Sequence, residues 1–293
     1  MYKILLLLVL IFGWIYFRLI RGTRRRGKLH GRELLRESFR ARRRERIDGA
    51  ETWDERRRLR DVVYPKRRIA SRFLRGDTMD VKRVAALCSH GGSNFAAIAD
   101  AASRGEIPIQ VAVMVHNNAR AGAKQKAIAR GIPTEWVPRK RFADEEAYAS
   151  RLLEILEQYR IDIIALAGFM QRIPSEVIQR YAGRITNIHP ALLPAYGGRG
   201  FYGMKVHQAV FAAGAKVSGP TVHLVDEEYD HGPILLQRAV SIADCTCPEE
   251  IAARVLIEEH KLYPEVLGLL ARERFRIEGD RVTLLSEEEP AAP

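Results

Sequence analysis

Residues 161–167 (IDIIALA) constrain the fold more than any other stretch of this chain. Successive strand residues face opposite sides of a sheet, and here both alternating sets are apolar, Asp162 aside. A strand that buries both faces belongs at the centre of a parallel sheet sandwiched between helices. Parallel neighbours need helical crossovers, and the flanking sequence supplies them. Residues 81–87 (VKRVAAL) read as a strand that enters the turn Ser89-His90-Gly91-Gly92-Ser93-Asn94, and residues 95–102 as a helix. Residues 107–115 form a second strand, and residues 121–130 a helix stopped by Gly131. A short third strand covers 134–137. Residues 144–159 form an amphipathic helix with Asp144 as N-cap and Tyr148, Leu152, Ile155 and Leu156 as its apolar stripe. Pro174 reads as the first residue of the next helix, and residues 185–189 as strand five. The expected class is α/β: a doubly wound, mostly parallel Rossmann-like sheet with right-handed crossovers.

Beyond Pro194 the pattern changes. Gly197, Gly198, Gly200 and Gly203 make a pliable loop, followed by a helix at 206–213. Residues 221–225 and 234–241 read as strands joined by an acidic loop at 226–233. A long helix at 248–269, with Asp244 or Thr246 near its cap, and a hairpin at 276–284 around Gly279-Asp280 complete the chain.

Charge divides the 293 residues unevenly. Residues 1–78 hold 23 Lys and Arg against 9 Asp and Glu, leaving 25 basic and 27 acidic residues for the rest. A net charge of +12 would suggest nucleic acid, but it resides in the N-terminal extension, so no specific nucleic-acid partner is expected for the remainder. Residues 4–20 are almost wholly apolar and are followed by Arg21, Arg24, Arg25 and Arg26, so residues 1–20 read as a short membrane anchor with its basic side cytoplasmic. Residues 21–78 read as an Arg-rich linker or helical extension, residues 79–286 as a cytoplasmic catalytic domain, and residues 287–293 as a disordered tail. Met79, directly before the first core strand, is an alternative start. Cys88, Cys245 and Cys247 form no disulfide framework and read as free thiols.

The chemistry gathers on strand five. Asn187 and His189 sit two apart, so they share a face, and Pro190 ends the ladder after them. The carboxyl edge of such a strand is where open α/β sheets place ligands. Asp230 lies on the acidic loop and meets the pair if that loop folds over the edge. An amide, an imidazole and a carboxylate suit acyl transfer to an amine, with the first two holding a developing oxyanion and the carboxylate handling a proton. No Ser or Cys nucleophile accompanies them, which favours direct attack by the amine. The turn at 89–94 opens a helix and presents backbone N–H groups suited to a phosphate. No His pair has metal-ligand spacing, so no metal is expected. His207, His223 and His260 read as core histidines.

The runs AGFMQRIP (167–174), NIHPALLPAYGG (187–198), SGPTVHLVDEEYDHGPIL (218–235) and EEHKLYP (258–264), with the glycine turn, resemble the phosphoribosylglycinamide formyltransferase family. The resemblance implies formyl transfer from 10-formyltetrahydrofolate to the amine of glycinamide ribonucleotide in purine synthesis, by a monomer or homodimer. It implies that Asn187, His189 and Asp230 are catalytic. Gly91, Gly92, Ser93 and Asn94 would hold the phosphate, and Glu259 the ribose. Phe169, Met170, Gln171, Arg172 and Ile173 would line the folate site with Val225, Asp226 and Tyr229. A formyltetrahydrofolate deformylase, a formyltransferase for another amine and a membrane-tethered basic protein that binds RNA or lipid are the alternatives.

Overall fold

The computed structural model describes residues 81–286. The expectations for residues 1–78 and 287–293 lie outside this range. Seven strands form the main sheet in the order β3-β2-β1-β4-β5-β7-β8. They are β1 (Lys82–Cys88), β2 (Ile109–His116), β3 (Thr134–Trp136), β4 (Ile163–Leu166), β5 (Ile185–His189), β7 (Thr221–Leu224) and β8 (Ile234–Gln237). The first five are mutually parallel, whereas β7 runs antiparallel to both β5 and β8. The helices are α1 (Ser93–Ser103), α2 (Gly122–Ala129), α3 (Glu145–Gln158), α4 (Ser175–Arg180), α5 (Met204–Ala212) and α6 (Pro248–Ala271). Two minor pairs, β6 (Val217–Ser218) with β9 (Val240–Ser241) and β10 (Phe275–Glu278) with β11 (Arg281–Leu284), complete the described chain.

The period-2 pattern of the strands decides which layer each residue joins. Val84, Ala86, Ile163 and Ala165 pack with Phe95 and Ile98 of α1 and Leu262, Tyr263 and Val266 of α6. Their alternates Ala85, Leu87, Ile164 and Leu166 pack on the other face with Tyr148, Leu152 and Ile155 of α3 and Val177 of α4. All four β4 residues are buried, as its all-apolar sequence requires. Each fully buried Leu or Ile contributes about 1.5–3 kcal/mol, so two such layers hold the strand ends firmly.

Three local expectations are corrected or refined. Pro174 has β-region backbone and stands one residue before α4, as its N-cap; its fixed φ suits either place. Asp244 and Thr246 lie near the α6 cap, as expected, but neither is the cap residue. Cys247 is the N-cap and makes no side-chain cap bond, because Asp244 is engaged by Arg254 and Thr246 by Glu250. The expected strand at 234–241 is two strands, β8 and β9. Gly219 presses against the Arg238 carbonyl at the break, and β9 turns away to pair with β6. Asp144 does cap α3, accepting from the Ala147 N–H at 2.8 Å. Among the described residues no helix is long and apolar enough to cross a membrane.

Candidate active site

One cleft of about 1130 Å³ opens at the carboxyl ends of β1, β4 and β5. Every site residue expected from the sequence lines it: Asn187, His189 and Asp230; Gly91, Gly92, Ser93, Asn94 and Glu259; Phe169, Met170, Gln171, Arg172 and Ile173; Val225, Asp226 and Tyr229.

Asn187 and His189 leave β5 on one face, and the β7–β8 connection folds Asp230 onto them. Asp230 takes left-handed backbone (φ 55°), and Gly232 lies flush on the Leu224 carbonyl, where a side chain would not fit. These two features bend the loop back across the strand end. Asp230 Oδ2 stands 3.4 Å from His189 Nδ1 and accepts the Gly198 N–H at 3.0 Å. The other carboxylate oxygen lies 3.5 Å from Asn187 Nδ2. His189 Nε2 donates to the Tyr196 carbonyl at 2.8 Å, turned toward it by a left-handed residue 196 (φ 57°). Both imidazole nitrogens of His189 therefore face acceptors, an arrangement that a doubly protonated ring satisfies.

His223 was expected in the core, and it is buried, but it belongs to this cluster. The antiparallel register sets it directly opposite Asn187. Its Nδ1 donates to the Leu224 carbonyl at 2.7 Å, which leaves Nε2 to accept from Asn187 Nδ2 at 3.1 Å. Thus His223 fixes which way the Asn187 amide points. Its sign in the sequence is a His inside the apolar run TVHL (221–224), just before the loop that bears Asp230. It was unreadable without the β5–β7 register. His207, also expected in the core, is buried and lines the cleft too.

Burial pushes the Asp230 carboxyl up. The neighbouring His189 imidazole, its charge and the Gly198 N–H together outweigh burial and hold it far below the usual carboxylate range. It is therefore a carboxylate at any ordinary pH. Glu259 behaves oppositely. Burial raises its pKa, and the opposing pull of the Asn94 amide and of His189 is too weak to reverse that.

The glycine turn has two unequal halves. Gly92 is the left-handed N-cap of α1 (φ 64°), and a β-carbon there would come within 2.5 Å of the Ala123 β-carbon. Gly92 therefore holds α1 against α2 as well as facing the cleft. A β-carbon on Gly91 would meet nothing within 4 Å, so that space is open for a ligand. The Asn94 side chain is buried and donates to Glu259 Oε2 at 2.6 Å, so its amide is committed inward while the first-turn N–H groups face the turn.

On the far side, the segments after β4 and β7 flank β5, and Arg172 joins them by donating to the Glu227 carbonyl at 2.9 Å. Met170 and Tyr229 leave large apolar surfaces exposed there, 44% and 55% accessible. Gln171 is held by the Tyr148 hydroxyl at 3.2 Å. Beneath the site, the Tyr263 hydroxyl of α6 lies 3.2 Å from the Leu166 carbonyl at the end of β4 and 3.1 Å from the Thr186 carbonyl of β5, bridging the two strands. Among the described residues no group of acidic, His or Cys side chains could hold a metal ion.

The chain is similar to known proteins in both sequence and fold. Residues 82–267 match the family model described as formyl transferase. The chain is 45% identical over 209 residues to the chloroplastic phosphoribosylglycinamide formyltransferase of Arabidopsis thaliana, covering 71% of this chain and 72% of that one. Among solved structures, glycinamide ribonucleotide transformylase 1 from Symbiobacterium toebii superposes with a TM-score of 0.67 at 34% identity, over 74% of this chain and 99% of that one. Phosphoribosylglycinamide formyltransferase from Brucella melitensis is 44% identical, with a TM-score of 0.60 over 65% and 95%.

Proposed function

This chain belongs to the formyl transferase family, and from that footing we propose that its cleft carries formyl transfer by direct attack of an amine, with Asn187, His189 and Asp230 as the reacting centre. The acceptor is the amine of glycinamide ribonucleotide and the donor is 10-formyltetrahydrofolate, so the reaction is a step of purine biosynthesis. The observation that carries the mechanism is the convergence of three groups at one strand end. An amide lies 3.1 Å from the imidazole that orients it, and a second imidazole sits between a carboxylate at 3.4 Å and a carbonyl at 2.8 Å.

The residues fit both ligands. The open space over Gly91 and the first-turn N–H groups of α1 suit a phosphate monoester. The buried Glu259 side chain at the cleft wall suits ribose hydroxyls. Phe169 to Ile173 and Val225 to Tyr229 form a partly apolar slot for a flat heterocycle, with Met170 and Tyr229 exposed on either side of β5 and polar Gln171, Arg172 and Asp226 beside them. When bound, the folate supplies a formyl carbon at the oxidation level the acceptor receives.

The remaining work falls to the chain. Asn187, its amide aimed by His223, donates to the formyl oxygen as negative charge develops there. His189 adds positive charge beside it, and such donors are worth about 10²–10³ in turnover each. Asp230 sets a negative charge against His189 and relays, directly or through water, the proton that the attacking amine releases to the folate nitrogen, whose bond to the formyl carbon breaks as tetrahydrofolate leaves. A carboxylate held this far below its usual range is a weak base, so a water relay that never leaves the proton on Asp230 fits it best. The catalytic unit is assigned to residues 79–286.

The test is an assay of the purified full-length chain with 10-formyltetrahydrofolate and a panel of amines, monitoring formylated product and free formate separately. Product should form with glycinamide ribonucleotide and depend on its phosphate. Formate release without transfer, or preference for another amine, would overturn the assignment of the acceptor.

A further inference from the structure

His207 stands apart from the other buried histidines. Among the described residues, His116, His189, His207 and His223 are buried polar groups. His116, His189 and His223 each bond a backbone carbonyl, at 2.8, 2.8 and 2.7 Å. His207 is only 5% accessible, yet its Nδ1 is sealed from solvent with no hydrogen-bond partner. Its Nε2 has no partner among the described residues either, but unlike Nδ1 it is not sealed, and the residue lines the cleft.

A purely structural role does not explain this side chain. The neighbouring residues Val206 and Val210 anchor α5 in a small apolar cluster with Ala191, Ile251 and Val255. A Leu or Met at 207 would fill similar volume without an unpaired nitrogen, whose burial costs about 1–3 kcal/mol. The sealed Nδ1 faces no acceptor, so the lower-cost tautomer carries its proton on Nε2. Burial and the nearby His189 charge both disfavour a second proton, so the ring is a neutral donor aimed into the cleft. Its location selects the ligand. The apolar slot is built after β4 and β7, whereas α5 packs on α6, the helix that carries Glu259.

We infer that His207 is an acceptor-binding residue, donating its Nε2–H to an oxygen of the phosphorylated amine substrate on the Glu259 side of the cleft. The inference rests on the functional reading above and adds a specific contact to it.

The test exploits amide geometry. A Gln amide nitrogen reaches roughly where imidazole Nε2 sits, and an Asn amide nitrogen only as far as Nδ1. Full-length wild type, His207→Gln and His207→Asn are compared by calorimetric binding of glycinamide ribonucleotide without folate, by KM for each substrate, and by Tm. With one hydrogen bond lost, His207→Asn should weaken acceptor binding and raise its KM roughly threefold to tenfold, leaving the folate KM unchanged. His207→Gln should stay near wild type. If both variants weaken binding equally, or lower Tm with acceptor affinity unchanged, His207 is a packing residue and the inference fails while formyl transfer stands. If wild type binds no acceptor, both readings fall.

Discussion

The site holds two half-hidden carboxylates, and the two regions that carry them solve opposite problems. The Asp230 loop surrounds its carboxylate with donors: the Gly198 N–H, the His189 ring and the Asn187 amide. The α6 turn at Glu259 offers one, the Asn94 amide at 2.6 Å, inside a more deeply buried setting. Burial disfavours charge in both places. Where donors to the ionised form accumulate, at Asp230, the carboxyl is held below its usual range; where a single donor stands against deeper burial, at Glu259, it is raised. Depth alone does not set the direction of the shift; the donors around each carboxylate do.

The comparison breaks most visibly at Asp230. Asp230→Asn keeps an acceptor for Gly198 but removes the negative charge that faces His189, so turnover should fall about 10²–10⁴-fold with the fold intact. Near-normal kcat would remove the carboxylate from the mechanism. The Glu259 side is next probed through the turn it adjoins. Gly91→Val fills open space and should raise the acceptor KM roughly tenfold to a hundredfold, the worth of one or two bonds to a charged phosphate, without loss of Tm. An unchanged KM would mean that no phosphate sits there. Gly92 is not a clean probe, because a side chain would collide with Ala123 and strain the left-handed backbone.

The smallest effect tests the contrast itself. Asp230 has a depressed pKa in the folded chain. It therefore contributes stability above the usual carboxylate range, and this is lost as pH falls through the depressed value. Glu259 has a raised pKa, so the folded state loses stability as pH climbs from the usual carboxylate range through the raised value. Glu259→Gln should accordingly gain Tm over wild type as pH rises toward neutral, at roughly 2–4 °C for each kcal/mol recovered. The Tm deficit of Asp230→Asn should shrink as pH falls. Parallel slopes for the two variants would refute the distinction.

Much of this was legible in the chain. The βα alternation, the doubly covered β4 and the Asp144 cap follow from local periodicity and capping. Asn187 and His189 share a face by simple alternation, and Pro190 announces the strand's end. What local patterns could not supply was register. His223 faces Asn187 only because β7 inserts antiparallel beside β5, a non-local pairing. The halves of the glycine turn look alike in sequence and differ because α2 lies against one of them. His207 sits on a helix face that reads as core, and its unpaired nitrogen exists only in three dimensions.

The Tyr263 hydroxyl, seated between the Leu166 and Thr186 carbonyls, carries a consequence for motion. One turn upstream on the same helix is Glu259, and the strand it grips continues directly into Asn187. Helix α6 and the outgoing ends of β4 and β5 are thereby tied into one cooperative unit, which opens together or not at all. Amide hydrogens of the strand ends should then exchange with solvent on the same clock as the middle of α6, so the walls of the cleft keep a constant span.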